Sequence, residues 1–379
     1  VTKPSRADIA AGLSPRKDYF ELQDALGADI LDLTAIEKRS WSRFLARACG
    51  TSVAQAVLAS KAADQYDAVF ADRESTGFAL ATLLKLRRKR PRLTVLTHFL
   101  SSPAKQRLFR SLWLDRMIDA VLVHSSSQEQ VARDKLDCPA EKIKLLPYHA
   151  DTQFWRPERL HMKNQVCSVG LEYRDYPTVI EAMRGLDLNL VIAAASHWSK
   201  HRAEFDHPAN VRVSSFNYPA LRTLYAESLF VVVPLVDIDN QAGITVILEA
   251  MAAGKAIVVS HTRGQTDVVR DRRRQNRTDP SRPSQPDWLH TLGVDESVAT
   301  SQTGIYVMPG DADELRRALD FLVAHPEMAA EMGANGRRVV EAAMSLDLFT
   351  RRVADIITGQ PGGARTTDTR FSSMHVSGT

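Results

Sequence analysis

Between Ile244 and Ala253 the sequence ITVILEAMAA holds one ionisable residue, Glu249. Ile244, Ile247, Leu248 and Met251 recur at helical spacing, Gly254 supplies a C-terminal stop, and Ala256–Val259 read as a buried strand. A carboxylate in so apolar a helix is costly unless a donor meets it. Thr245 lies four residues earlier, on the same face. Gly243 lets a ligand approach the backbone closely. The first amides of the helix, those of Ile244 and Thr245, point N–H groups at that same spot and favour an anion. A diphosphate on the helix tip with a ribose diol on Glu249 meets all of these conditions. Pairing of Glu249 with a nearby Arg or Lys meets only the first.

A second candidate is His98, which closes the apolar run RLTVLTH. An imidazole at the carboxyl end of a strand is placed to hydrogen-bond a ligand or relay a proton. The neighbouring run DAVFADREST ends in Asp72, Arg73 and Glu74, read as loop charges first and ligand contacts second. The DID triplet at 237–239 resembles a metal-holding pair of acids, yet the helix tip already supplies positive charge there, and no metal is expected. No Gly-x-x-x-x-Gly-Lys-Ser/Thr, Gly-x-Ser-x-Gly or dinucleotide fingerprint is present, which argues against a P-loop ATPase and a serine hydrolase.

These groups need strands and helices to hold them. Apolar, β-rich runs at Asp29–Leu33, Ala68–Ala71, Leu93–Thr97, Ala120–Val123 and Ile143–Leu146 alternate with helix-length stretches. A second set follows at Gln165–Val169, Leu188–Ala193, Val211–Val213, Leu229–Leu235 and Ala256–Ser260. The alternation predicts an α/β protein with two parallel sheets, joined near the polar stretch DTQFWRPERLHMKNQ. A length of 379 residues suits two domains, and 44% hydrophobic with 25% charged residues is ordinary for a globular protein. A net charge of +4 implies no global polyanion partner, so no nucleic acid is expected. The three cysteines lack metal-like spacing and suit a reducing compartment, so a cytoplasmic location is expected. No apolar run approaches the roughly 20 residues of a membrane span, and no signal peptide is recognised. The run LLKLRRKRPRL at 83–93 carries six basic residues and no acid, and SSPAKQRLFRSLWLDR follows it. Such a patch fits a solvated face or peripheral contact with anionic lipid on the inner membrane face. DRRRQNRTDPSRPSQPDW at 271–288 reads as a long excursion, and the tail after Gly359 is expected to be disordered.

The segment VVPLVDIDNQAGITVILEAMAAGKAIVVSHTRGQTDVV resembles the donor-binding segment of family 4 glycosyltransferases: a strand ending in Pro, then Glu-x-Phe-Gly, then Glu-Ala-Met-Ala-x-Gly. LLPYHADTQFWRP, TGIYVMPGDADELRRAL and MGANGRRVVEAAMS resemble the family's flanking blocks in the same order, so the likeness spans most of 120–356. It implies a GT-B fold, two Rossmann-like domains facing a central cleft. The implied layout is an acceptor domain over 1–157, a nucleotide-sugar domain over 158–345 and a helix over 346–358 crossing back, with 359–379 as the tail. The implied reaction is retaining transfer of a sugar, of the hexosyltransferase class, to an acceptor hydroxyl. The acceptor would be a saccharide, a lipid-linked sugar or a small molecule. The nucleotide-sugar is then a substrate, and no cofactor is implied.

By the same resemblance Glu249 binds the ribose, and Gly243, Ile244 and Thr245 cradle the distal phosphate. His98 sits beside the acceptor, and Gly12 falls in a loop after a first strand placed within residues 1–20. Two departures stand out. Gln241, or Asn240 in the other alignment, replaces a sugar-side Glu with an amide. Leu171 stands where the family has an Arg. Arg174 takes the place of the family's phosphate-binding Lys, or pairs locally with Glu172 or Asp175, and Lys200 is a weaker second cation. These departures keep two alternatives open: a catalytically silent GT-B scaffold that binds a partner, and a nucleotide-sugar epimerase.

Overall fold

A computed structural model describes residues 4–195, 206–272, 288–360 and 371–378. The chain divides into two compact units. The first unit joins Lys17–Pro147 to Asp347–Thr379, and the second joins Val1–Arg16 to Tyr148–Leu346.

The first unit is built on six parallel strands: β1 (Asp29–Leu31), β2 (Ala68–Ala71), β3 (Arg92–Thr97), β4 (Ala120–Val123), β5 (Ile143–Leu145) and the last of the chain, β12 (Ser373–Val376). Their order is β1-β12-β2-β3-β4-β5. β2 and β4 are buried throughout, as strands covered by helices on both faces must be. β12 corrects the expectation of a disordered tail. It pairs with β1 on one side and β2 on the other, and Met374 and Val376 are buried. The expected first strand within residues 1–20 is corrected as well. Ser5 and Asp8 form a capping box that starts a helix at Arg6–Ala10, and a second helix runs over Asp18–Leu26.

The second unit repeats the design with β6 (Gln165–Val169), β7 (Asn189–Ala195), β8 (Val211–Ser215), β9 (Val231–Val233), β10 (Ile257–Ser260) and β11 (Gly304–Val307), in the order β11-β10-β9-β6-β7-β8. Helix Ile244–Ala252 follows β9, and Gly254 (φ 74) turns the chain out of it. Helix Pro326–Ala343 lies directly against it. A Cβ at Gly333 would come 2.1 Å from the Gly254 carbonyl oxygen, and one at Gly336 would come 3.2 Å from Met251 Cγ. The glycines of MGANG therefore serve close helix packing.

Of the sequence read as a long excursion, residues 273–287 lie outside the described residues, and the stretch after them is packed. Trp288 is buried and donates from Nε1 to the Asp267 carbonyl at 3.0 Å. The loop entering the second unit is anchored by Arg16 and Asp151: the amide, Nε and Nη2 of Arg16 donate to the buried Asp151 carboxylate at 2.8, 3.1 and 3.0 Å.

Candidate functional site

The second unit gathers its polar groups where β6 and β9 end. The chain leaves β6 through left-handed residues at Gly170 (φ 105) and Tyr173 (φ 56) and then makes an antiparallel bridge from Arg174 to Leu235. This turn holds the Arg174 guanidinium between two glycines. A Cβ at Gly170 would lie 2.5 Å from its Nη2, and one at Gly243 would lie 3.4 Å from its Nη1. Nε donates to the Val169 carbonyl and Nη1 to the Glu172 carbonyl, each at 2.9 Å. Among the described residues no carboxylate lies within ion-pair distance of Arg174. Local pairing with Asp175 is not made, because that carboxylate caps its own helix by accepting from Thr178. Burial pulls the Arg174 pKa below its usual value, and a guanidinium still keeps its charge. Burying a cation without a carboxylate is costly and leaves it ready for an anion.

Gly243 (φ 79) is the N-cap of helix Ile244–Ala252. A side chain there would meet Val233 Cγ1 at 2.9 Å, so both the left-handed backbone and the close packing call for glycine. The Ile244 amide turns back to the Gln241 carbonyl at 3.2 Å and is not free, which corrects the expectation for that residue. The Thr245 and Val246 amides have no partner among the described residues, and Ile247 begins the helical ladder on Gly243. One turn later Glu249 is 9% exposed, and the buried Tyr225 hydroxyl donates to its Oε2 at 3.1 Å. Burial, together with the Glu249 carboxylate, pushes the Tyr225 pKa well above its ordinary value, so the phenol stays a donor. The Trp155 ring packs on Tyr225 at 5.6 Å, which ties the FWRP block to the Glu249 support.

Around the helix entry stand three amides. The side-chain carbonyl oxygens of Asn240, Gln241 and Gln265 are buried, with no hydrogen-bond partner among the described residues. Gln265 is anchored by donating from Nε2 to the Ala242 carbonyl at 2.8 Å. Asp237 of the DID triplet accepts from the Arg263 amide at 3.1 Å and faces its guanidinium at 3.5 Å. Lys200 lies outside the described residues. Gly12 (φ 70) turns the chain after the first short helix.

The first unit has its own cluster, at the exits of β3 and β4. His98 Nε2 donates to the Asp72 carbonyl at 2.9 Å, which makes Nδ1 the acceptor atom of the neutral ring. Its amide donates to Glu74 at 3.2 Å, and Glu74 also pairs with Lys105 at 2.5 Å. The ring of His124 lies 5.1 Å from that of His98, and its Nδ1 donates to the Leu146 carbonyl at 2.8 Å. Sequence reasoning missed His124, although it closes AVLVH at the end of β4 just as His98 closes its own strand. Tyr225 and Gln265 were also missed. Tyr225 carried the same signal as Glu249, a polar group on the buried face of an otherwise apolar stretch.

The paired parallel sheets and the helix-tip site are those of the GT-B glycosyltransferase class. Within it, residues 168–284 match the family model described as Glycosyl transferases group 1. No curated protein sequence matches the chain. Among solved structures, sucrose-phosphate synthase from Thermosynechococcus elongatus is 18% identical, covering 83% of this chain and 78% of that one, with a TM-score of 0.59. Anabaena HepE in complex with UDP and glucose is 14% identical, covering 94% and 97%, with a TM-score of 0.61. A glycosyltransferase from Rickettsia africae is 13% identical, covering 95% and 96%, with a TM-score of 0.60. At such identities the likeness speaks for the fold. Among the described residues no helix is long and apolar enough to cross a membrane.

Proposed function

We propose that the protein transfers a sugar from a nucleoside diphosphate sugar to an acceptor hydroxyl, with retention at the anomeric carbon and without a metal ion. The observation that carries this reading is the Arg174 guanidinium lodged between Gly170 and Gly243, beside the N-terminus of the helix that bears Glu249. A diphosphate is the ligand chemistry that uses a buried guanidinium and unpaired helix-tip amides together. A ribose diol donating to Glu249 fits the remaining length of one helical turn. Gln241, Asn240 and Gln265 accept from hydroxyls of the sugar, and Thr245 lines the same helix face.

The bond between the anomeric carbon and the diphosphate oxygen breaks as the acceptor oxygen bonds to that carbon on the same face. The leaving diphosphate takes the acceptor proton. Arg174 and the amides of Thr245 and Val246 stabilise the charge that builds on it. Donors of this kind contribute about 3–4 kcal/mol each, or about 10²–10³ in rate. His98 holds the acceptor through its Nδ1 side, with His124 packed behind the ring.

A thermal-shift panel of UDP, GDP, ADP, CDP and their sugars, run with and without chelator, tests the proposal. A saturating ligand at about 100 times its dissociation constant stabilises by roughly 2.7 kcal/mol. The expected result is a shift with one nucleotide, unchanged by chelator, followed by transfer from the matching sugar. No shift with any nucleotide supports the silent scaffold. A shift that needs Mg²⁺ or Mn²⁺ overturns the metal-free mechanism, and conversion of donor with no acceptor present supports the epimerase.

A further inference from the structure

The first unit carries a second surface, away from the strand exits. Helix Pro103–Ser111 buries Phe109, whose ring meets Phe78 edge-on at 5.3 Å, and leaves Arg107, Leu108 and Arg110 outside. The chain then turns through Trp113 in a left-handed conformation, φ 44 and ψ 50, which is strained for a bulky aromatic residue. Its ring is nevertheless 60% exposed, and the Arg116 guanidinium lies over it at 4.6 Å. The Lys85 ammonium donates to the Leu112 carbonyl, which brings the basic run beside Trp113. Leu86 in that run is 88% exposed and Leu108 is 44% exposed. An open groove of about 760 Å³ lies among Arg107, Arg110, Trp113 and Arg116. Residues 85–91 precede β3 and residues 114–116 precede β4, so this face is at the amino ends of the strands, opposite His98.

We propose that this face docks on an anionic lipid bilayer, with Trp113, Leu108 and Leu86 entering the interfacial layer and Lys85, Arg107 and Arg116 meeting the headgroup phosphates. Large apolar side chains held out in water beside cations match a surface that is apolar beneath and anionic on top. Tryptophan suits that boundary because its ring is amphipathic. Each Lys or Arg near such a surface contributes about 1 kcal/mol. The sequence suggested the basic run alone. In the structure Arg87 pairs with Asp64 and Arg90 with Asp119, so the attraction shifts toward Lys85 and helix Pro103–Ser111. A nucleic acid would use the cations but not the leucines.

The test is flotation of the full chain with phosphatidylcholine vesicles, with and without phosphatidylglycerol. The wild type is expected to float with the anionic vesicles, to stay behind with the neutral ones, and to be released by salt. Trp113→Ala combined with Leu86→Ser, and separately Arg107→Glu with Arg110→Glu, should each lower partitioning about tenfold or more. The melting temperature and the nucleotide-induced shift should stay as in the wild type. The charge-reversal pair sits on exposed positions and remains decisive if the Trp113 change lowers stability. Failure of the wild type to float, or flotation that ignores both variants, overturns the proposal. Binding to duplex DNA that equals vesicle binding and survives the Trp113 and Leu86 changes assigns the face to a polyanion instead.

Discussion

Ending the chain at Gly359 removes β12, and the structure sets the size of the effect. Met374 and Val376 are buried, and withdrawing such side chains from the core costs about 1.5–3 kcal/mol each. Five hydrogen bonds beyond the strand ladders also go: Asp67 N–H to Ser372 O, Asp72 N–H to Val376 O, Ser377 N–H to Leu31 O, Gln55 Nε2 to Ser377 O and Gly378 N–H to the Asp72 carboxylate. At about 0.5–1.5 kcal/mol each, these bring the loss to about 6–13 kcal/mol, comparable to the whole stability of a domain. The ladders to β1 and β2 are lost in addition. The first unit should therefore fail to fold. Limited proteolysis read by mass spectrometry should show cleavage throughout residues 17–147, and the thermal unfolding signal should lose amplitude. A single charge, Val376→Asp, should act in the same direction. A truncated chain that melts and resists protease like the full chain would refute the reasoning.

Other outcomes follow from particular residues. Arg174→Ala should lower turnover by about 10²–10³, with a smaller loss for Arg174→Lys, measured as kcat with saturating donor. Burial holds the His375 pKa below its ordinary 6.5, opposed by Asp72 at 3.8 Å. The unfolded chain then binds the extra proton first, so this stability is present above pH 6.5 and is lost as pH falls from there through the folded pKa. The slope is at most about 1.4 kcal/mol per pH unit. Melting temperature against pH should show that decline, and His375→Leu should flatten it. Cys49 is exposed, while burial pushes the Cys138 and Cys167 thiols up to about 11 and about 12. Iodoacetamide at mildly alkaline pH should therefore add one label to the native protein and three after unfolding, read by intact mass.

Much of this molecule was legible in the sequence because parallel strands buried on both faces read as apolar runs. The ten strands expected from those runs were found within a few residues of their expected ends. β12 was not foreseen: SMHV is short, half polar, and follows a long polar stretch. Its strand character comes from its place between β1 and β2, more than 300 residues away in sequence. The start of the chain was misread because a likeness outweighed the Ser5–Asp8 capping signal. Glu249 and Gly243 were legible because their geometry is internal to one helix. Tyr225 and Gln265 were not, since each reaches its partner across 24 and 23 residues through a fold that the sequence does not display. The Ile244 amide was misjudged for a related reason, because a left-handed Gly243 lets the chain turn back on Gln241.

The central claim is that Arg174 and the helix tip hold a diphosphate while Glu249 holds the ribose. Calorimetric titration of the best nucleoside diphosphate and of its parent nucleoside into wild type, Arg174→Ala and Glu249→Gln tests it most directly. The account predicts that the wild type prefers the diphosphate and that Arg174→Ala loses most of that preference while keeping its nucleoside affinity. Glu249→Gln should weaken both ligands alike and leave their ratio unchanged. Unaltered diphosphate binding in Arg174→Ala, or unaltered binding of both ligands in Glu249→Gln, would contradict it.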